Sequence, residues 1–192
     1  MGYFPAFIKL DHKKVLLIGG GNIAGEKLER LLDFTKDIQL IALEYSEEVL
    51  RMIKHEDLSY ETRAYEEGDI KDFAIVIIAV DDMALQARIF EESKQYNCLC
   101  NAVDSVEYCD FIFPSYLKKD DLTIAISTSG ASPALAKHLK RYLRNLIPSN
   151  ISEFLKEMKA LRIALPKGKE RMKMLDKKAQ DYMKNWSGIK DD

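Results

Sequence analysis

Long hydrophobic runs, cysteine pairs and clustered histidines are scarce in this sequence, and each shortage removes a class of protein. The longest apolar run, Phe73 to Val80, is far too short to cross a bilayer as a helix. Three cysteines, Cys98, Cys100 and Cys109, are too few and too close together for a disulfide framework. They read as reduced thiols packed around a strand. No second pair or clustered His completes a metal site, so no bound metal is expected. His12, His55 and His138 are scattered over different elements and form no triad. The first residues lack the basic, apolar and small-residue progression of a secretory signal. Gly2 is followed by Ala6 where a myristoylation motif needs Ser or Thr. A cytoplasmic protein with no membrane partner is the expectation. No internal repeat or low-complexity tract interrupts the chain.

What is present is a chain of 192 residues, 47% hydrophobic, enough for one large domain or a domain with an appendage. Its net charge of −2 conceals an asymmetry. Residues 137–192 hold 15 Lys/Arg against 7 Asp/Glu, whereas residues 1–136 hold 14 against 24. A basic final third suits an anionic partner, or simply provides solvated helix faces. Nucleic acid is not the expected partner, because the basic helices lack interleaved aromatics and any docking motif.

The chain is organised around Val15-Leu16-Leu17-Ile18-Gly19-Gly20-Gly21-Asn22-Ile23-Ala24. Apolar residues run into a glycine cluster, and Ile23, Ala24, Lys27, Leu28, Leu31 and Leu32 follow at helical spacing. The pattern strand, tight turn, helix fits G-x-G-x-x-A, a dinucleotide-binding fingerprint. Gly19 serves the sharp turn, Gly21 lets the backbone approach a pyrophosphate, and Ala24 lets the helix pack closely. The helix N-terminus offers free N–H groups to phosphate. A second strand, Ile38 to Leu43, ends at Glu44, 25 residues after Gly19. An acid there accepts hydrogen bonds from the adenosine ribose and repels a 2′-phosphate, favouring NAD over NADP. Glu44 also reads as a helix-entry carboxylate, since Ser46-Glu47-Glu48 opens a helix.

Further strands are expected at Leu58 to Tyr65, Phe73 to Val80 and Cys98 to Val103, alternating with helices. The run Phe73 to Val80 is β-branched and continuous, as in a central parallel strand buried on both faces. Asp81-Asp82 opens the next helix. The alternation gives a doubly wound, Rossmann-type parallel sheet. The apolar stretch Tyr3 to Ile8 is expected to pack beside the first strand. After Phe113-Pro114 a strand at Leu122 to Ser127 leads to Ser132-Pro133, an N-cap and first-turn pair. A helix follows, its apolar stripe formed by Leu135, Leu139, Tyr142, Leu143 and Leu146. Helices at about 152–165 and 169–186 complete the chain. They need a second subunit or the first domain against their apolar faces. Asp104 stands at a strand's carboxyl end, where a carboxylate can act as a general base or merely form a turn. Ser127 and Thr128, at another strand end, can bind an anion or cap the helix.

Together these blocks resemble the precorrin-2 dehydrogenase family, including the N-terminal module of siroheme synthase. The resemblance spans about Tyr3 to Pro148. It rests on the order of Tyr3-Phe4-Pro5, Gly19 to Ala24, Ala79-Val80-Asp81-Asp82, Asn101-Ala102-Val103-Asp104, Phe113-Pro114-Ser115 and Ala125 to Pro133. It implies NAD-dependent oxidation of precorrin-2 to sirohydrochlorin in a homodimer. It places the essential acid at Asp104 and cofactor contacts at Asn22, Ile23, Leu43 and Glu44, beside Gly19 and Gly21. The substrate's many carboxylates make Thr128, Arg141 and Arg144 candidate tetrapyrrole contacts. The implied organisation is an NAD-binding domain over 1–113, a dimerisation segment over 114–148 and a helical region over 149–192. Ser129 stands where the family commonly has glycine. Alternatives are an enzyme that also inserts ferrous iron into sirohydrochlorin, or a non-catalytic NAD-sensing module.

Overall fold

The computed structural model describes residues 2–184 and Trp186. The chain forms two compact units, one over Tyr3–Ile112 and one from Phe113 onward. The first unit contains a five-stranded sheet built from β1 (Val15–Ile18), β2 (Ile38–Ala42), β3 (Ser59–Thr62), β4 (Ile75–Ile78) and β5 (Leu99–Ala102). Their order is β3-β2-β1-β4-β5, every pair parallel. Helices α1 (Asn22–Leu32), α2 (Glu47–Glu56) and α3 (Met83–Gln95) connect them. Residues Val15–Ile18 and Ile75–Ile78 are buried throughout, because β1 and β4 have a strand on each edge and helices on both faces. That is why they read as unbroken apolar runs, whereas the edge strand β3 is fully exposed.

Helix boundaries follow from local chemistry. Ser46, Asp82 and Ser132 each accept a backbone N–H bond from the third residue onward, the expected N-cap geometry. Between β1 and β4 the chain direction around the sheet reverses, leaving a crevice at their carboxyl ends. The stretch Tyr3 to Ile8 departs from expectation. It forms no strand, and Phe4 and Phe7 are 88% and 76% exposed. Both edges of β1 are already taken by β2 and β4, so no pairing position is left beside it.

The second unit is an antiparallel hairpin, β6 (Ser115–Lys119) and β7 (Leu122–Ile126), followed by α4 (Pro133–Leu146), α5 (Ile151–Ala164) and α6 (Lys169–Met183). Lys119 pairs with Leu122, and Asp120, in the left-handed region at φ 50°, makes the turn. Strand β6 carries no apolar run and was not expected from the sequence. Phe154 stacks on Tyr182 at 3.9 Å, and the Tyr182 hydroxyl donates to Asn150, clasping α5 to α6. Arg171 donates to the carbonyls of Arg162 and Leu165, closing the end of α5. Of the expected helix 169–186, the segment beyond Met183 is not helical at Lys184 and Trp186. Asn185 and residues 187–192 lie outside the described residues. Among the described residues no helix is long and apolar enough to cross a membrane.

Candidate functional site

Each carboxyl-end loop of the first unit continues its strand's ladder by one bond, so the loops are held by the sheet. Gly19 donates to Ile41, Ala79 to Ile18, Arg63 to Ala42 and Val103 to Ile78. The loops after β1, β2, β3 and β4 enclose a cleft of about 710 Å³, a size typical of small-molecule sites. Gly19, Gly20, Gly21, Leu43, Glu44, Arg63, Tyr65, Asp81, Asp82 and Arg88 are among its walls.

The three glycines have different reasons to be glycine. Gly19 has φ +118°, and a Cβ there would sit 2.3 Å from the Ala79 carbonyl oxygen. Gly20 was assigned no role from the sequence, yet its Cβ would lie 2.1 Å from the Glu44 carbonyl oxygen and 2.8 Å from the Tyr45 ring. The Gly20 carbonyl also accepts from Ser46 N–H at 2.8 Å, locking the glycine turn to the β2–α2 corner. Gly21 differs. A Cβ there would meet nothing within 4 Å, and its φ of −83° suits any residue. Neither packing nor backbone demands glycine at 21; an approaching ligand would.

Gly21 is also the N-cap of α1, with no side-chain cap and no acidic residue in the first turn. Helices α2 and α3, which follow the loops after β2 and β4, are by contrast closed by the side chains of Ser46 and Asp82. The positive end of α1 is thus left for an anion. Asn22 and Ile23 open α1 just past the cleft wall, and both are exposed. Leu43 is 70% exposed on the wall, an apolar surface a flat ring would cover. Glu44, adjacent and exposed, provides a carboxylate at the end of β2.

Asp104 lies outside that cleft, at the end of β5 on the same carboxyl edge. It is exposed and left-handed at φ 61°, a conformation Asp tolerates better than most residues. Its flanks are fixed by Gln86, a buried residue of α3 to which no role was given from the sequence. Gln86 Nε2 donates to the carbonyls of Val80 at 2.8 Å and Val103 at 3.3 Å. Its Oε1 accepts from the buried Ser105 hydroxyl. One side chain therefore ties the β4 loop of the cleft to both neighbours of Asp104.

Behind this loop, Asn101 Nδ2 donates to the Phe111 carbonyl at 2.8 Å, and the Cys109 thiol donates to Ala102 and Ser105. The buried Asn101 Oδ1 has no hydrogen-bond partner among the described residues. Burial, then Arg30, lowers the Lys27 pKa, against the upward pull of Cys109, Glu26 and Asp104. Burial pushes Cys98 up to about 12 and raises Cys100 as well, so these thiols are inert near neutrality. Among the described residues, no group of three or more His, Cys, Asp or Glu is arranged to hold a metal.

The remaining sequence candidates belong to the second unit. Thr128 Oγ1 accepts from Ser132 N–H at 3.0 Å, so this hydroxyl organises the turn before α4. Arg141 and Arg144 lie one turn apart on α4, both exposed, with Arg141 bonded to His138 at 2.7 Å.

Comparison with known proteins supplies context for this geometry. A family model described as "Sirohaem biosynthesis protein central" matches residues 119–146. The chain is 35% identical over 151 residues to a siroheme synthase of Pseudoalteromonas translucida, covering 79% of this chain and 32% of that protein. It is 33% identical over 153 residues to siroheme synthase 1 of Serratia proteamaculans, covering 80% and 32%. The match thus spans about a third of these relatives' length. A solved structure titled "SirC, precorrin-2 dehydrogenase" superposes with a TM-score of 0.77 at 24% identity, covering 95% of this chain and 92% of that one. The fold is shared with that protein. A model described as "Putative NAD(P)-binding" matches residues 6–115, the whole sheet and its cleft, and the chain belongs to that family.

Proposed function

We propose that this chain is an NAD-dependent precorrin-2 dehydrogenase, forming sirohydrochlorin for siroheme. The observation that carries the reading is an open phosphate turn and an exposed carboxylate, Asp104, on one carboxyl edge of the sheet. The names of the relatives, siroheme synthases, support the substrate class.

The residues at the cleft fit a dinucleotide. The α1 N-terminus and Gly21 receive the pyrophosphate, Leu43 and Ile23 flank the apolar parts, and Glu44 accepts from the adenosine ribose. When bound, NAD supplies the hydride acceptor. The oxidation removes a hydride and a proton from precorrin-2. Asp104 accepts the proton on a carboxylate oxygen, and the loop held by Gln86 keeps that carboxylate in place. In the second unit, Thr128, Arg141 and Arg144 are the candidate contacts for a carboxylate-rich ligand.

The cofactor domain is residues 1–113, followed by a dimerisation segment over 114–148 and a helical region over 149–192. The exposed stripe Leu135, Leu139 and Tyr142 on α4 supports a homodimer contact in the middle segment. A reducing compartment such as the cytoplasm suits the three free thiols.

Anaerobic incubation with precorrin-2 and NAD tests the reading. NADH and sirohydrochlorin are expected in equal amounts. Added ferrous ion then asks whether metal enters faster than in the enzyme-free control. NAD binding without oxidation would favour the sensing module.

A further inference from the structure

The cleft contains an arginine, Arg63, beside the ribose acid, and four of its five guanidinium N–H groups are engaged on its own loop and strand. Arg63 follows β3 and its N–H bonds the Ala42 carbonyl, so it stands on the strand next to the Leu43–Glu44 corner. Both residues line the cleft. In dinucleotide sites, a nearby arginine is what accommodates a 2′-phosphate.

Here the guanidinium is turned onto its own loop. Nη1 and Nη2 make a two-pronged pair with Asp69 at 2.7 and 2.8 Å. Nη1 also donates to the Ala64 carbonyl at 3.0 Å, and Nε donates to Glu61 at 2.7 Å. Such fork-to-carboxylate pairs are the strongest of the charge-assisted bonds. The Asp69 side chain is only 15% exposed and also accepts from Glu66 N–H at 2.8 Å. Burial opposes ionisation of Asp69, yet the bonds from Arg63 hold its carboxyl below the usual range. Glu61 is itself braced by Gln39 at 2.7 Å. Next along the loop, the Tyr65 hydroxyl and Gly68 N–H both donate to the buried Glu92. The loop that carries Arg63 is therefore fixed at both of its ends.

We propose that the Arg63–Asp69 pair is a cofactor-selectivity lock: it withholds the cleft's ready-made phosphate receptor, so that Glu44 alone meets the ribose. Selectivity against a 2′-phosphate then has two layers. Glu44 repels the phosphate, and Asp69 denies it Arg63, the arginine beside the Leu43–Glu44 corner. The inference rests on the reading of the cleft as an NAD site and adds to it a residue pair outside the fingerprint.

The test is the binding of NAD and NADP by calorimetry to the native chain, Glu44→Gln, Asp69→Asn, the double variant, and the double variant carrying Arg63→Met. Asparagine at 69 keeps an oxygen for Glu66 N–H and removes the charge that holds Arg63. The double variant should bind NADP about tenfold tighter or more than Glu44→Gln alone, the worth of one charge-assisted contact. Arg63→Met should abolish that gain, with NAD affinity within about threefold of the double variant's own. No gain in the double variant, or a gain that survives Arg63→Met, overturns the lock. A second comparison does not depend on Asp69 variants folding. Arg63→Met in the otherwise native chain should leave the NADP-to-NAD affinity ratio unchanged, and a tenfold fall would mean that Arg63 already reaches the phosphate. Failure of the native chain to bind NAD would instead overturn the cofactor reading itself, a distinct result.

Discussion

The two units of this chain satisfy their apolar surface in opposite ways. In the first, β1 and β4 are enclosed on all sides, and their residues are inaccessible to solvent almost without exception. In the second, Leu117, Ala136, Ile151 and Leu175 are the buried apolar residues among those described, while Leu135, Leu139 and Tyr142 face outward. A parallel sheet with helices on both faces completes its own core; a two-stranded hairpin with helices has too few layers to do so. The first unit therefore encloses its own core, whereas the second leaves an apolar stripe of α4 exposed.

That contrast can be broken at chosen points. The largest effect is expected from Asp104→Asn, which should lower turnover by about 10²- to 10⁴-fold. NAD affinity and melting temperature should remain native; a near-native rate removes Asp104 from the chemistry. Gly21→Asp should weaken NAD binding by about a hundredfold, some 2.7 kcal/mol, because bulk and negative charge would enter the open space proposed for the pyrophosphate. The fold should persist in that variant, since nothing lies within 4 Å of the new Cβ. Gly20→Ala makes the opposite case, with its Cβ driven into a backbone oxygen, and should destabilise the first unit outright.

Two smaller effects sharpen the comparison. Gln86→Leu leaves the Ser105 hydroxyl and two loop carbonyls without their partner, costing about 1–3 kcal/mol. Denaturant unfolding should report that loss, with NAD affinity changed less than turnover. Leu139→Glu on α4 should shift the mass seen by sedimentation toward the monomer while leaving NAD affinity native. An unchanged mass would take α4 out of the subunit contact. The smallest effect concerns acid. Asp69 has a depressed pKa in the folded chain, so its contribution is present above the ordinary carboxylate value of about 4. It is lost as pH falls through the depressed folded value. Asp69→Asn should flatten that part of the stability curve.

The sheet was legible because its signal is local. Val15–Ile18 and Ile75–Ile78 are short buried runs closed by Gly19 and by Asp81-Asp82, and each resolves as a strand. Gly19 was legible for the same reason, as a turn directly after a strand. Gly20 was not, because what forbids a side chain there is the Glu44 carbonyl, contributed by another loop. Gln86 carries no motif either; its importance lies in the carbonyls that the ends of β4 and β5 bring to it. Strand β6 is a Ser-Tyr-Leu-Lys-Lys segment whose structure comes from pairing with β7, not from its own composition. The exposed Phe4 and Phe7 teach the converse. Apolar character predicts burial only where the topology leaves a slot.

The position of β1 at the centre of the sheet has a consequence for how the chain folds. Its first neighbour, β2, follows soon after it, but the other is β4, with Val15 paired to Ile75. Strand β1 is thus not completed until β4 has formed, and such long-range closure slows folding. The glycine turn shares that delay, because Gly19 nests against Ala79 at the end of β4. Until β4 arrives there is no cleft, and a nascent or unfolded chain offers a dinucleotide nothing to bind. Cofactor supply should therefore act as a thermodynamic chaperone, selecting the finished sheet and raising its stability with the logarithm of ligand concentration.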